Sequence, residues 1–177
     1  LTVGRSIHLE HTDINSLPEK LTVFGDFDLS YSNIKELPEN LTVGGYLDIA
    51  YTYITKLPNH LVVGSYLNAC HTNIDKLPNN IIVGEGMDLS CTNIAELPDN
   101  LVVNGPLTLR EVPIMTLPDN LKVNGDIDLC YTNNLHLPDN LIVTGSLILV
   151  NSDIKSLPNN LTVCGYLELN RSGITEL

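Results

Sequence analysis

Residues 21–40 read LTVFGDFDLSYSNIKELPEN, and this twenty-residue frame recurs from one end of the chain to the other. Repeats start at residues 1, 21, 41, 61, 81, 101, 121, 141 and 161, with no insertion between them, and the ninth stops after seventeen positions at Leu177. A fixed period in this range marks a solenoid, in which each unit stacks only on its neighbours and shares a continuous core with them. The whole chain, 1–177, therefore reads as a single repeat domain. No linker, low-complexity tract or charge run interrupts the period.

Laid in register, the repeats give L-x-V-x-G-x-L-x-L-x-x-T-x-I-x-x-L-P-x-N. Positions one, three, seven and nine are apolar nearly throughout, and such alternation marks an extended strand with one buried face. In the second repeat it directs Val23, Phe27 and Leu29 inward and Asp26, Asp28 and Ser30 outward. The fifth position, glycine in six of nine repeats (Gly25, Gly45, Gly105, Gly125, Gly145 and Gly165), marks a corner where a short strand turns into the main one. Thr12, Thr52, Thr72, Thr92 and Thr132, with Ser32, Ser152 and Ser172, form a column of small hydroxyls, each expected to bond a backbone group left open at the strand end. Ile14, Ile34, Ile54, Ile74, Ile94, Ile114, Ile154 and Ile174 return the chain to the core. The Leu-Pro pair then turns it, because proline fixes φ, lacks an N–H and holds its predecessor extended. The asparagine at position twenty fits a turn closed by its own side chain. The expected fold is a β-rich solenoid of nine coils with a parallel β-sheet and an irregular Leu-Pro side with little or no helix; a flatter, β-helix-like coil is the alternative.

The stretch Leu47–Pro58, LDIAYTYITKLP, resembles the L-x-L-x-x-N-x-L-x-x-L-P of leucine-rich repeats. The twenty-residue repeat that contains it is similar in length to the short repeats of bacterial secreted effectors. The resemblance covers all nine units and implies a right-handed superhelix with protein–protein recognition as its role. Three departures accompany it. Thr or Ser stands where the family has Asn, and the V-x-G segment lengthens the alternating region. The ubiquitin-ligase activity that some such effectors carry on a domain after the repeats is not carried over. The resemblance favours a cytoplasmic or secreted-effector location.

Nine Lys and Arg stand against 21 Asp and Glu, a formal net charge of −12. That disfavours nucleic acid and anionic membranes, which need a basic surface, and no apolar run approaches the length of a membrane span. A protein partner with a basic surface is the expectation, with end-to-end self-association of the solenoid as the alternative. Variation at exposed positions is where a solenoid carries function. Asp28, Asp48, Asp88, Asp128 and Glu168 recur at position eight, Tyr46 and Tyr66 at position six, and Tyr31, Tyr51 and Tyr131 at position eleven. Together these are the candidate partner-binding residues. At strand spacing, a pair such as Asp28 and Asp48 opposes the fold by about 1–3 kcal/mol before the side chains splay. Tyrosine beside charge is a recognition composition.

No nucleophile–base pair, phosphate loop or metal triad is evident, so neither an enzyme nor a cofactor is expected. His8-x-x-His11 has a metal-like spacing, but alternation sends its two residues to different sides. Asp26 with Asp28, and Asp126 with Asp128, offer fewer oxygens than calcium takes. Cys70, Cys91, Cys130 and Cys164 fall at three different repeat positions, which argues against a designed disulfide framework or zinc site. Repeats six and seven depart from the consensus at Pro106, at Arg110-Glu111-Val112-Pro113 and at Asn133-Asn134-Leu135, which predicts a local kink or bulge.

Overall fold

A computed structural model describes residues 1–176. Nine coils stack with the twenty-residue period, and each contributes two strands of two residues. The second coil is typical, with a short strand at Thr22–Val23, a corner at Phe24–Gly25 and a main strand at Phe27–Asp28. The main strands form one nine-stranded parallel sheet running the length of the molecule. Register is one full period at every step, as in Phe27↔Leu47 and Asp28↔Asp48. No helix forms among the described residues, and the Leu-Pro side is irregular.

The alternation read from the sequence is realised in packing. Val23, Phe27, Leu29 and Ile34 are fully buried, and their equivalents Val43, Leu47, Ile49 and Ile54 lie beneath them in the same cluster. This interior is an apolar column shared by all coils, in which each fully buried Leu or Ile contributes about 1.5–3 kcal/mol. The outer coils have one neighbour instead of two, so Ile7, Leu9 and Ile14 at one end and Val163, Leu169 and Ile174 at the other are only partly buried.

The corner glycines answer to crowding. None has a positive φ, so conformational freedom is not what selects them. A Cβ on Gly64 would collide with the carbonyl of Gly44 in the preceding coil, and one on Gly125 would lie 2.6 Å from the backbone carbon of Gly105. At Gly64 the close approach accompanies its own N–H donating to the carbonyl of Val43 at 2.8 Å, and in other coils the position-five N–H reaches the position-five carbonyl one coil back, as in Gly45 to Gly25 at 3.0 Å.

The hydroxyl column acts within each coil. Thr52 Oγ1 donates to the carbonyl of Ile49 at 2.7 Å, and Ser32, Thr72, Thr92, Thr132 and Ser152 repeat the bond at 2.6–2.8 Å. These hydroxyls are buried, so the bond satisfies two groups that water cannot reach. The turn after Leu-Pro differs from expectation. It is closed by the backbone, with the N–H of Leu41 reaching the carbonyl of Pro38 at 3.3 Å and Leu61 that of Pro58 likewise. The asparagine contributes conformation instead, since Asn40, Asn100, Asn140 and Asn160 take φ near +60°, which Asn tolerates better than most residues.

In repeat six the expected kink or bulge does not break the main sheet. Its main strand, Leu107–Thr108, pairs on both sides in unbroken register. Pro106 is tolerated because the position-six N–H has no backbone acceptor in any described coil. Elsewhere that N–H is met by a side chain, as when Tyr46 donates to Asp26 Oδ1 at 2.9 Å. The proline ring also lies against Gly86, where a Cβ would strike it. The ladder of short strands is nevertheless interrupted between coils five and six, and again between seven and eight. In repeat seven the extra position is absorbed by Asn134 at φ 58°, which lets Leu135 fill the buried isoleucine site.

The crowding argument separates two glycines of the same column. Gly64→Ala should lower stability by about 1–3 kcal/mol through overpacking. Gly4→Ala, where a Cβ would meet nothing within 4 Å, should be neutral or slightly stabilising. Urea unfolding of the two variants checks this.

Candidate functional site

The candidate residues occupy one long face built by positions six, eight, ten and eleven of successive coils. Position eight is the outer residue of the main strand. In four coils its carboxylate folds back onto its own chain: Asp28 Oδ1 accepts from the N–H of Ser30 at 2.9 Å, Asp48 from Ala50 at 2.8 Å, Asp88 from Ser90 at 2.9 Å and Asp128 from Cys130 at 3.0 Å. Asn68 makes the same bond to Cys70 at 3.2 Å without a charge. The recurrence of Asp and Asn here thus has a structural cause, the closure of a two-residue turn as the strand ends.

The remaining oxygens differ from coil to coil. Asp48 Oδ2 accepts from Tyr46 Oη at 2.5 Å and from Asn68 Nδ2 at 3.1 Å. Asp128 is buried and neutralised by Arg110, whose Nε donates to Oδ2 at 2.6 Å; the bond holds the guanidinium even more firmly protonated than usual. Asp28 and Asp88 are half-buried, and each has a second oxygen without a hydrogen-bond partner among the described residues. Glu168 stands in the last main strand, half-buried beside Ile148. The like-charge ladder expected of this column is therefore broken. Asn68 and Thr108 interrupt it, and two of the four aspartates are held by polar or cationic neighbours.

Position ten, read as outward and solvent-facing, is buried at Ser30, Ala50, Ser90 and Cys130. Small side chains there are recessed between the aspartates of position eight and the larger residues of position eleven. Ser30 Oγ even donates to Asp28 Oδ1, at 2.7 Å.

Position eleven is conformationally exceptional. His11, Tyr31, Tyr51, His71, Cys91, Glu111, Tyr131, Asn151 and Arg171 all have φ between 54° and 60°. A left-handed non-glycine residue costs about 1–2 kcal/mol, and a bulky one is rarely found there. Six residue types adopt it alike, so the backbone imposes the conformation: the N–H must still reach the next coil, as in Tyr31 to Ala50 at 2.9 Å, while the chain leaves the strand. The geometry then stacks the side chains. The rings of His11, Tyr31, Tyr51 and His71 form one column, with centroids 4.7, 4.5 and 4.3 Å apart and planes within 16° of parallel. Each contact contributes about 0.5–1.5 kcal/mol, enough to offset much of the backbone cost. The column is exposed, Tyr31 at 50% and Tyr51 at 43%. Tyr131 is also exposed but stands apart, separated from the column by Cys91 and Glu111.

Tyr46 and Tyr66, at position six, stack more loosely at 6.3 Å. Burial and then the bond to Asp48 push the Tyr46 phenol well above its usual range, and burial followed by the charge of Asp88 raises Tyr66. Both therefore stay neutral donors on the face. His11 and His71 share position eleven with the tyrosines but were not among the candidate partner-binding residues. Their signal was present in the recurrence of planar rings at position eleven, but only the left-handed turn aligns those rings. Irregular coils six and seven border a separate open hollow of about 710 Å³, with Glu111, Pro113, Met115 and Tyr131 on its walls.

In comparisons with known proteins, no family model matches the chain and no curated protein matches its sequence.

Two outcomes follow from this geometry. Asp88→Asn keeps the acceptor that Asn68 uses and should leave stability within about 0.5 kcal/mol, whereas Asp88→Ala should lower it by about 1 kcal/mol; paired unfolding curves decide. Burial, then the charges of Asp88 and Asp48, push the Cys70 thiol up to about 11, and burial with the bond to Asp128 does the same for Cys130. Less thiolate at pH 8 means slower attack, so a disulfide reagent should label exposed Cys164 first. It should reach Cys70 and Cys130 only as pH approaches 11 or the chain unfolds.

Proposed function

We propose that this chain is a non-enzymatic protein–protein interaction module whose acidic, tyrosine-bearing face receives a basic segment of a partner. The observation that carries the reading is the placement of two carboxylates, Asp28 and Asp88, each with an oxygen unpartnered among the described residues, on the same face as the exposed column His11, Tyr31, Tyr51 and His71. A lysine or arginine laid along the face meets charge at position eight and ring edges at position eleven. Aromatic residues contribute large contact area at low entropic cost, and a net charge of −12 steers cationic partners towards the molecule. The leucine-rich-repeat resemblance of Leu47–Pro58 supports the same role and suggests a bacterial repeat module of the secreted-effector kind.

In this reading the candidate residues do not contribute equally. Asp128, buried against Arg110, is not a contact in this reading, and Asp48 is occupied by Tyr46 and Asn68. The probe is a fluorescent lysine-rich peptide, titrated at low and at high salt. Asp28→Asn and Asp88→Asn should each weaken binding by about 0.5–1 kcal/mol at low salt, and Tyr31→Ala with Tyr51→Ala should weaken it at both salt concentrations. Asp128→Asn should leave it unchanged. Equal affinity for the parent and the Asp28/Asp88 double variant at low salt would remove the basis for this reading.

A further inference from the structure

We infer that His8, Glu10 and Asp28 form a binding site for a divalent transition metal of the zinc class. It is the one group of three or more His, Cys, Asp or Glu side chains among the described residues whose ligand atoms converge, one from each residue lying within 4.8 Å of the others. The site follows from the sheet. His8 and Glu10 are two residues apart on one chain and so share a face, while Asp28 is the register partner of His8 in the next parallel strand, about 4.8 Å away. An i, i+2 pair completed by a cross-strand neighbour presents three donors to one point above the sheet.

The donors are chemically suited and free. One imidazole with two carboxylates is a ligand set that zinc accepts, with a fourth position left for water, and the imidazole favours zinc, copper or nickel over calcium or magnesium. Neither side chain of His8 or Glu10 makes a hydrogen bond among the described residues. Asp28 uses only Oδ1, towards Ser30, which leaves Oδ2. The imidazole is also not ion-paired: no carboxylate oxygen lies within 4.0 Å of it, the limit met in the described residues only by Arg110 and Asp128. A histidine flanked by two carboxylates, yet bonded to neither, stands at a separation that a metal with bonds of about 2.0–2.2 Å closes by small rotations of exposed side chains. This differs from the His8-x-x-His11 pairing weighed from sequence. His11 is turned away into the ring column, and the carboxylates take its place.

The consequence is mechanical. The ligands come from two coils, so the ion would clip the first coil, whose Ile7, Leu9 and Ile14 are only partly buried, onto the second. Ligand binding to the folded state alone raises its stability by mass action.

The test uses substitutions that the repeat itself already contains at these positions: His8→Thr, after Thr108, and Glu10→Ser, after Ser30 and Ser90, both of which keep the coil. Asp28→Asn keeps the turn as Asn68 does. Calorimetric titration of the 177-residue chain with zinc chloride, with Cys164→Ser as the background to remove the exposed thiol, should show one ion per chain. Each of the three substitutions should weaken binding by about tenfold or more, since loss of a ligand exceeds loss of the outer partners that cost about that much. Hydrogen exchange should slow at Leu9, whose N–H donates to the carbonyl of Asp28 at 2.8 Å, when zinc is added to the Cys164→Ser protein but not to its His8→Thr derivative. Absence of zinc uptake at roughly 100 μM, an affinity near the weak end of specific binding, overturns the proposal. So does uptake that His8→Thr and Glu10→Ser leave unchanged.

Discussion

An amide in each of the first eight main strands reaches the carbonyl nineteen residues ahead, as in Ile7 to Asp26, Phe27 to Tyr46 and Leu47 to Tyr66, at 2.7–2.9 Å. This bond sets the separation of the coils, and the other features depend on that separation. It brings corner backbones into contact and excludes a Cβ at Gly64 and Gly125. It also superimposes Phe27, Leu47 and Leu67 in an interior with no solvent exposure. A two-residue strand would be too weak to persist alone. Nine of them in one register, each backed by the same apolar column, support one another.

The surface chemistry follows from that stacking. The aspartates of position eight close turns, and their charge is left over from a task that Asn68 performs equally well. The rings of position eleven are aligned by a left-handed turn that the backbone imposes on histidine, tyrosine, cysteine, glutamate, asparagine and arginine alike. What distinguishes coils one to five is the choice of residues placed on these forced positions: planar rings in four consecutive turns, and at Asp28 and Asp88 a carboxylate whose second oxygen has no hydrogen-bond partner among the described residues. Coils six and seven make other choices. There Arg110 neutralises Asp128, and Pro106 and Leu135 occupy places that only a local adjustment permits. The stacked rings and the aspartates with a free oxygen therefore lie in the first part of the solenoid.

Much of this was readable in the sequence, for a reason particular to repeats. Val23, Phe27, Leu29 and Ile34 could be assigned to the interior because the same apolar pattern occurs nine times, and an error in one repeat is corrected by the others. The partners of the hydroxyl column were anticipated because a buried Thr must bond something. That Pro106 leaves the main sheet unbroken was not legible, because the sequence does not show which N–H groups the ladder uses. The exposure expected of Ser30 failed because alternation gives the side of a sheet and not the height of the neighbouring residues.

The period, the apolar alternation and the Leu-Pro turns determined by themselves that the chain coils, that it buries one stripe and that it excludes helix, because these properties are local and periodic and each residue type carries its own constraint. Where a hydrogen bond or a ring finds its partner depended on a distance between coils that no single repeat contains. The stacked column from His11 to His71, the pairing of Arg110 with Asp128 and the convergence of His8, Glu10 and Asp28 were decided only in three dimensions, where residues about twenty apart in the chain come within a few ångströms.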